Sequence, residues 1–461
     1  MSGRLLRIEF RRNATWVLLP LLAALLWIAS PYGRGLRAPV ALWSSRSLAL
    51  QGSIQVIGPF AAGMAAWMAS RETRRGLRDV LGSTATGWWS RRLATLAATA
   101  AWSLTLYLAA GVVLFGLTAG QATWGGPVWW PVSVGGVGVL ACTAVGFTFG
   151  VALPSRFTAP LVAIGLLLAL QLTLALRGDY LLVSPARDSL STSASVFFGV
   201  DPGLAITQLI FGCGVTAAAV AAVAWPIGPG RLRTPGPPTA IAAVSLATAG
   251  VAAIAASLLL AGTARQDTPQ GTVIPALHAA VSARPVSYTP VCDDRPPIPV
   301  CAHPAYRSIL PAVAADLAPV TAQVAGLPGA PTQIELADPG SPPPASKRQV
   351  QVFAAELINT QGPMTSGEIA ISIRYGAAEA ITGAASADWP GVAGGPAQAQ
   401  FAVALGLQLA AGARHDLSAL PAPLATAAHR FAALPGTARR AWLAGHLAGL
   451  RAGRVTLAEV P

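Results

Sequence analysis

The stretch TAPLVAIGLLLALQLTLAL, residues 158–176, has no charged residue and is long enough to cross the hydrocarbon core of a bilayer as one helix. Similar apolar stretches recur along the first 262 residues. Together with this one they form seven predicted spans, at about 14–30, 49–69, 94–118, 128–152, 158–176, 203–225 and 239–262. The sequence therefore predicts a polytopic membrane protein.

Composition supports this prediction. Only 11% of the 461 residues are charged, whereas a soluble chain would carry about 25%. Beyond Gly262 the chain becomes Pro-rich, more charged and periodic. The predicted fold is an all-α polytopic membrane domain, with six spans plus a seventh, followed by a mixed α+β soluble extracytoplasmic domain. The predicted parts are an interfacial amphipathic elbow helix (1–13), a six-span permease domain (14–225), a cytoplasmic linker (226–238), a seventh transmembrane helix (239–262) and an extracytoplasmic domain (263–461).

The formal net charge of +13 comes from the membrane half. Through residue 262 there are 18 Arg against 6 Asp and Glu, and thirteen of these arginines lie on one predicted side. The other side has five: Arg34, Arg37, Arg46, Arg177 and Arg187. This positive-inside bias predicts a cytoplasmic N-terminus in the plasma membrane. Seven spans then place residues 263–461 outside the cell. Because membrane topology accounts for the excess of positive charge, nucleic acid is not an expected partner.

Four cysteines fall into two groups. Cys142 and Cys213 lie within apolar spans, where a small buried thiol is the expected role. Cys292 and Cys301 bracket eight residues of the predicted outer domain. In an oxidising compartment, this pair predicts a disulfide in preference to a metal site.

The C-terminal part shows both helical and strand periodicity. Helical spacing predicts helices over 306–324, 397–411, 424–434 and 437–451. Alternation of apolar and polar residues predicts strands over 332–336, 349–353 and 368–375. In the last of these, Ile369, Ile371 and Ile373 would share one face.

Catalytic and cofactor signatures were sought throughout the chain. No phosphate-binding loop occurs, and the only lysine is Lys347, so any ATP hydrolysis requires another polypeptide. No serine nucleophile elbow is present. The five histidines lack the spacing of a zinc site: His278, His303, His415, His429 and His446. We therefore expect no catalytic residue, metal or cofactor in this chain.

Ionisable residues are almost absent from the predicted spans, which argues against an ion-coupled carrier. Polar residues within or near the spans, such as Gln51, Gln55, Thr105 and Gln171, are interpreted as helix–helix contacts. This pattern favours an external energy source, or an apolar, amphiphilic or peptide-like cargo.

A basic loop, Arg71–Arg92, separates the second and third predicted spans and holds six arginines in 22 residues. It has the pattern Glu-x-Arg-x-Gly followed by Leu and Ser/Thr. The matching residues are Glu72, Arg74, Arg75, Gly76, Leu77, Leu81, Ser83 and Thr84, with Arg91 entering the third span. Together with the elbow helix and six spans, this loop resembles the membrane subunits of type-2 ABC exporters. Residues 290–306 also resemble an outer domain appended to some actinobacterial permeases of this kind.

The resemblance implies that the loop contains a coupling helix, which docks on a separate ABC ATPase subunit carrying ATP and Mg²⁺. It also implies a second permease copy or a paralogue in the bilayer. The seventh span and the outer domain depart from the family pattern. They leave two alternatives open: a non-transporting signal or mechanical transducer that relays ATPase motion to the outer domain, and a membrane-anchored extracytoplasmic hydrolase.

Overall fold

The structure is a computed structural model. It describes residues 8, 10, 19–74, 88–190, 194–224, 237–268, 271–337, 346, 348–353, 366–384, 396–414, 416–418 and 420–461. The chain divides into two compact units, Met1–Arg284 and Pro285–Pro461.

The first unit is mainly helical. Its helices are α1 (Leu19–Ala29), α2 (Pro31–Arg37), α3 (Trp43–Gly52), α4 (Ile54–Arg74), α5 (Trp88–Ala119), α6 (Trp129–Ala152), α7 (Thr158–Ala175), α8 (Ala194–Phe197), α9 (Gly203–Ala224) and α10 (Pro237–Ala261). Among the described residues, six helical stretches are long and apolar enough to cross a membrane, which indicates a membrane protein. They are α3 with α4 as one stretch, α5, α6, α7, α9 and α10.

The first predicted span, 14–30, is described only from Leu19 onward, where α1 forms an apolar helix of 11 residues. Its earlier residues lie outside the described part, as do most residues of the predicted elbow helix. The second predicted span is longer than expected. Its helical stretch runs from Trp43 to Arg74, so residues 43–48, predicted to flank the span, belong to it.

Small residues let helices of the first unit pack closely. Gly146 and Gly150 of α6 face Ala62 and Ala66 of α4, and a Cβ at either glycine would lie within 2.4 Å of a carbonyl oxygen of α4. A Cβ at Gly214 of α9 would lie 2.8 Å from the Gly250 oxygen of α10. These pairs are typical of membrane helices that pack backbone against backbone.

The described part of the long connection between α7 and α9 is folded into the unit. It contains a 3₁₀ turn, Asp179–Val183, and the short helix α8. Its buried apolar side chains are Leu182, Val183, Ala186, Val196, Phe197 and Phe198. We call the described residues of this connection, 177–190 and 194–202, the folded loop.

A short hairpin follows α10, with β1 (Arg265–Thr268) antiparallel to β2 (Gly271–Val273). Ile274 beyond it is fully buried in a cluster with Leu182 of the folded loop and Leu204 of α9. Residues 271–284 therefore belong to the first unit.

The second unit contains a four-stranded sheet in the order β3 (Val291–Asp293), β4 (Val300–Ala302), β5 (Gln333–Ala337) and β6 (Gln349–Phe353). The β3–β4 pair is antiparallel, and the other two pairs are parallel. The helices of this unit are α11 (Leu310–Val324), α12 (Ser366–Thr382), α13 (Pro396–Ala410), α14 (Ala422–Ala433) and α15 (Gly436–Arg451). The predicted strands at 332–336 and 349–353 and the four predicted helices are confirmed within a few residues.

The predicted strand over 368–375 is wrong, because this segment lies within α12. Ile373, Ala377 and Ile381 are buried at spacings of four residues, which places them on one helical face. Alternating isoleucines fit a strand over eight residues, but the longer apolar pattern fits a helix.

Candidate functional site

The two ends of the basic loop are described, and its centre is not. Glu72 and Arg74 lie in the last turn of α4, and Arg91 lies in the first turn of α5. The other predicted coupling residues lie outside the described residues: Arg75, Gly76, Leu77, Leu81, Ser83 and Thr84. The structure therefore places the flanks of the predicted coupling helix and leaves its centre as a prediction.

Arg74 folds back along its own helix. Its guanidinium carbon lies 3.6 Å from the centroid of the Trp67 ring, and its Nη2 donates to the Trp67 carbonyl oxygen at 3.0 Å. Stacking of a guanidinium on an indole is favourable. Arg74 thus stabilises the end of α4 at the point where the basic loop begins.

The start of α5 is joined to the end of α9. Arg92 Nη1 donates to the Val223 carbonyl oxygen at 3.4 Å, and cations are favourable near the carboxyl end of a helix. The Val223 side chain belongs to a buried cluster contributed by α4, α5, α6 and α9. Its members are Ala65, Leu96, Phe147, Val151 and Val223. A displacement of the basic loop would therefore act on four packed helices at once.

A buried polar network lies beside the folded loop. Gln51 Nε2 donates to the carbonyl oxygens of Pro185 and Arg187 at 3.1 and 2.6 Å, and Ser189 Oγ donates to Gln51 Oε1 at 2.6 Å. Gln208 Nε2 lies within hydrogen-bond distance of the carbonyl oxygens of residues 182, 184 and 187. Two glutamines from α3 and α9 thus bind one loop. Gln51 was interpreted from sequence as a helix–helix contact, and its main partners are instead loop atoms.

The folded loop also bonds to the end of α7. Arg187 Nε donates to the Thr173 carbonyl oxygen at 2.7 Å, and its Nη2 donates to that of Leu176. The hydroxyl groups of Thr173 and Ser184 lie 2.9 Å apart. The loop is therefore held by three helices.

The segment that follows α10 is tied to the far end of the folded loop. His278 Nδ1 and an Asp201 carboxylate oxygen form a close pair, and the other Asp201 oxygen accepts from the Gly203 amide at 2.8 Å. Ser282 Oγ donates to the Val200 carbonyl oxygen, and the Gly199 amide donates to that of Arg284, both at 3.1 Å. The far end of the folded loop is thus bonded to the last residues of the first unit.

In the second unit, Cys292 and Cys301 face each other across β3 and β4 and form the predicted disulfide. The two thiols predicted to be buried differ: Cys142 is buried, whereas Cys213 lies on the surface of α9. An apolar span does not reveal which of its faces points away from the protein.

The histidines of the second unit do not form a metal centre among the residues described. His303 is fully buried, and burial lowers its pKa to about 4. Its Nδ1 accepts from the Ala305 amide at 3.1 Å, and its ring packs against Tyr288. Across the described part of the chain, no three His, Cys, Asp or Glu side chains are grouped to hold a metal ion.

Arg46 was missed by the sequence reasoning, which placed it outside the spans. The structure places it in the first turn and a half of α3, within the helical stretch Trp43–Arg74, with only 1% of its surface exposed. The helix that contains the second predicted span, 49–69, therefore begins earlier than predicted and includes Arg46. The serines at 44, 45 and 47 lower the local hydropathy and conceal the helix, although Trp43 is a signal for a membrane boundary.

Comparison with protein-family models, with curated proteins and with solved structures found no match to this chain.

Proposed function

We propose that this chain is the permease subunit of an ATP-binding cassette exporter for an apolar, amphiphilic or peptide-like substrate. A separate ATPase subunit drives it and carries ATP and Mg²⁺. The permease works with a second copy or a paralogue in the plasma membrane. Its N-terminus is cytoplasmic, and the C-terminal unit is extracytoplasmic.

The observation that carries this proposal is the connection of Arg92 to Val223, beside the cluster that joins four helices. An ATPase that binds residues 71–92 would pull directly on α4 and α5. Through the shared cluster, the same force would reach α6 and α9. Because closely packed clusters resist compression, a movement of one helix displaces the helices packed against it.

The double variant Glu72→Ala with Arg75→Ala tests the coupling role. We expect it to abolish substrate-dependent ATPase activity of the reconstituted transporter, with the chain still inserted and monodisperse. The matched control is Arg177→Ala with Asp179→Ala, a charge pair of equal size in the folded loop, which should retain activity. Survival of activity in the Glu72/Arg75 variant contradicts the coupling role.

A second candidate function is a transducer that relays ATPase motion to the C-terminal unit without transport. The contacts of residues 199–203 with residues 278–284 favour it, because they join the helices to the segment that leads into that unit. The variant Asp201→Asn with His278→Gln weakens this connection. A transducer would lose its function with ATPase activity intact, whereas an exporter would keep substrate-stimulated ATPase activity and vesicle uptake.

A hydrolase in the C-terminal unit is a third candidate from sequence. A covalent serine or cysteine probe and a metal assay on the full-length protein test it. Absence of labelling and of bound metal would leave the two membrane functions.

A further inference from the structure

Arg46 is a cation enclosed in an apolar unit with few partners. Its Nη2 donates to Gln121 Oε1 at 3.2 Å. Its Nε and Nη1 are also buried, and neither has a hydrogen-bond partner among the residues that the structure describes. No ion pair between Arg46 and a carboxylate is found among the described residues. The three N–H groups on these two nitrogen atoms therefore lack an acceptor among the described residues.

An enclosed guanidinium with unmet donors is costly to keep. Burial of a charged or polar group without partners destabilises a fold, and an apolar side chain of similar size would fit better. Arginines near the ends of membrane helices usually extend their charged group to the interface and its water, whereas Arg46 is enclosed. The cost indicates that Arg46 acquires an acceptor in another state of the protein.

The surroundings of Arg46 indicate the depth at which it lies. Trp43 lies one turn before it on the same side of α3. The Trp43 ring lies 6.0 Å from that of Phe115, which contacts Trp129 edge to face at 6.0 Å. Clusters of tryptophan are typical of the level of lipid head groups. Arg46 thus lies where the head group of an amphiphile would be.

The hydrogen-bond partner of Arg46, Gln121, lies at the surface. It follows the end of α5 in an exposed stretch, 119–126, and its own side chain is exposed. The side-chain amide oxygen of Gln121, Oε1, is a neutral acceptor for the charged guanidinium of Arg46. An anionic oxygen forms a shorter and stronger bond to a guanidinium than an amide does. An acidic group could therefore displace Gln121 and meet the free edge of the guanidinium.

We propose that Arg46 binds the acidic head group, a carboxylate or phosphate, of an amphiphile at the outer ends of α3 and α5. This inference deepens the proposed export function, because it gives the substrate class an acidic head group. The binding itself needs no ATPase, so it is measured on the full chain alone.

The test is thermal unfolding of the full-length protein in phosphatidylcholine nanodiscs, with increasing phosphatidylglycerol as the acidic amphiphile. We expect phosphatidylglycerol to raise the unfolding midpoint of the wild type by about 3 °C. In Arg46→Gln, the apparent affinity should fall about tenfold or more, since bonds to charged groups are lost. Arg46→Lys keeps the charge without the planar fork and should bind with intermediate affinity.

Arg37→Gln is the matched control. Arg37 is an exposed arginine near α3 that stacks on Trp27 at 5.6 Å, and its loss should leave the response to phosphatidylglycerol within twofold of wild type. Gln121→Ala removes the covering amide but keeps Arg46, so it should bind as tightly as wild type or more tightly. Inorganic phosphate added to phosphatidylcholine discs should give no shift at equal concentration.

Several results would overturn the proposal. An equal response to phosphatidylglycerol in Arg46→Gln and wild type excludes Arg46 as the binding group. A midpoint that falls in phosphatidylcholine alone for both Arg46→Gln and Arg46→Lys, with the lipid response intact, indicates a structural role. An equal shift with inorganic phosphate indicates a soluble anion as the ligand. These results do not depend on coupling, so they are distinct from failure of the Glu72/Arg75 test.

Discussion

Gly146 and Ala62 bring α6 and α4 into backbone contact, because a Cβ at Gly146 would lie 2.2 Å from the Ala62 carbonyl oxygen. No side chain can rotate away from such a clash, since the opposing atom belongs to the main chain. The contact is repeated one turn later by Gly150 and Ala66. The helices α4 and α6 therefore pack closely in one relative position. A coupled movement must either keep both contacts or break both.

Gly146→Ala should destabilise the membrane unit by about 2 kcal/mol or more, because the added methyl forces α4 and α6 apart. Thermal unfolding of the purified protein, followed by size-exclusion chromatography, measures the change. Gly165→Ala in α7 is the control, since a Cβ there meets no atom within 4 Å. Equal midpoints for the two variants would contradict the close packing.

Gln51→Leu should loosen the folded loop, because the Ser189 hydroxyl and the Pro185 carbonyl lose their partner and the Arg187 carbonyl loses one of its two donors. Each buried group left unsatisfied costs about 1–3 kcal/mol. Limited trypsin digestion with mass spectrometry should show faster cleavage after Arg187. Gln171→Leu, at an exposed position of α7, should cleave at the wild-type rate.

The effects of Gln51→Leu and Gln208→Leu should not add. Both side chains bond to the Arg187 carbonyl oxygen, and their own amides lie 3.5 Å apart. Residues that share a partner couple by about 0.5–3 kcal/mol in double-mutant cycles. A cycle on the trypsin cleavage rate measures this coupling, and strict additivity would show that the two glutamines hold the loop independently.

The second unit should lose stability as the pH falls from about 6.5 towards 4. Burial lowers the pKa of His303 to about 4, so between these values the unfolded chain binds a proton that the folded chain does not. Stability therefore rises with pH across this window and is lost on acidification. His303→Asn keeps an acceptor for the Ala305 amide and removes the titration. Protease resistance of residues 285–461 within the full chain, measured from pH 7 to pH 4, should fall less steeply in this variant than in His429→Asn.

Replacing Cys292 and Cys301 together by serine should destabilise the second unit by about 2–3 kcal/mol, because the closed loop no longer restricts the unfolded chain. Urea denaturation of the full-length protein, monitored by proteolysis within 285–461, measures the loss. Cys142→Ser, a buried thiol outside the pair, should leave this transition unchanged. A transition that is the same in all three proteins would mean that the disulfide adds nothing to the stability of this unit.

The sequence was sufficient for the features that depend on composition or on neighbours in the chain. The apolar runs predicted the membrane helices, and the short spacing of Cys292 and Cys301 predicted their disulfide. The alternation around Ile369 and Ile371 led to the wrong prediction of a strand. Over so few residues, the apolar positions fit both the two-residue period of a strand and the period near four of a helix. The wider segment through Ile381 was needed to distinguish them.

Most contacts of the candidate sites could not be predicted, since they join residues far apart in the chain. Gln51 meets Ser189 across 138 positions, and Arg92 meets Val223 across 131. The helical and enclosed position of Arg46 could not be predicted for a different reason. The serines on either side of it resemble the sequence of a polar loop. Only the packing of α3 against its neighbours reveals that these side chains are enclosed.

The bonds of Gly199, Val200 and Asp201 to residues 278–284 also determine where the chain can be divided. A protein ended at Gly262, just beyond the last helix, would lose all three bonds and would also lose Ile274, which leaves Leu182 and Leu204 without their packing partner. One ended at Arg284 would keep them. The boundary at which the helical part can be separated from the rest of the chain is therefore Arg284–Pro285, some twenty residues beyond the last apolar helix.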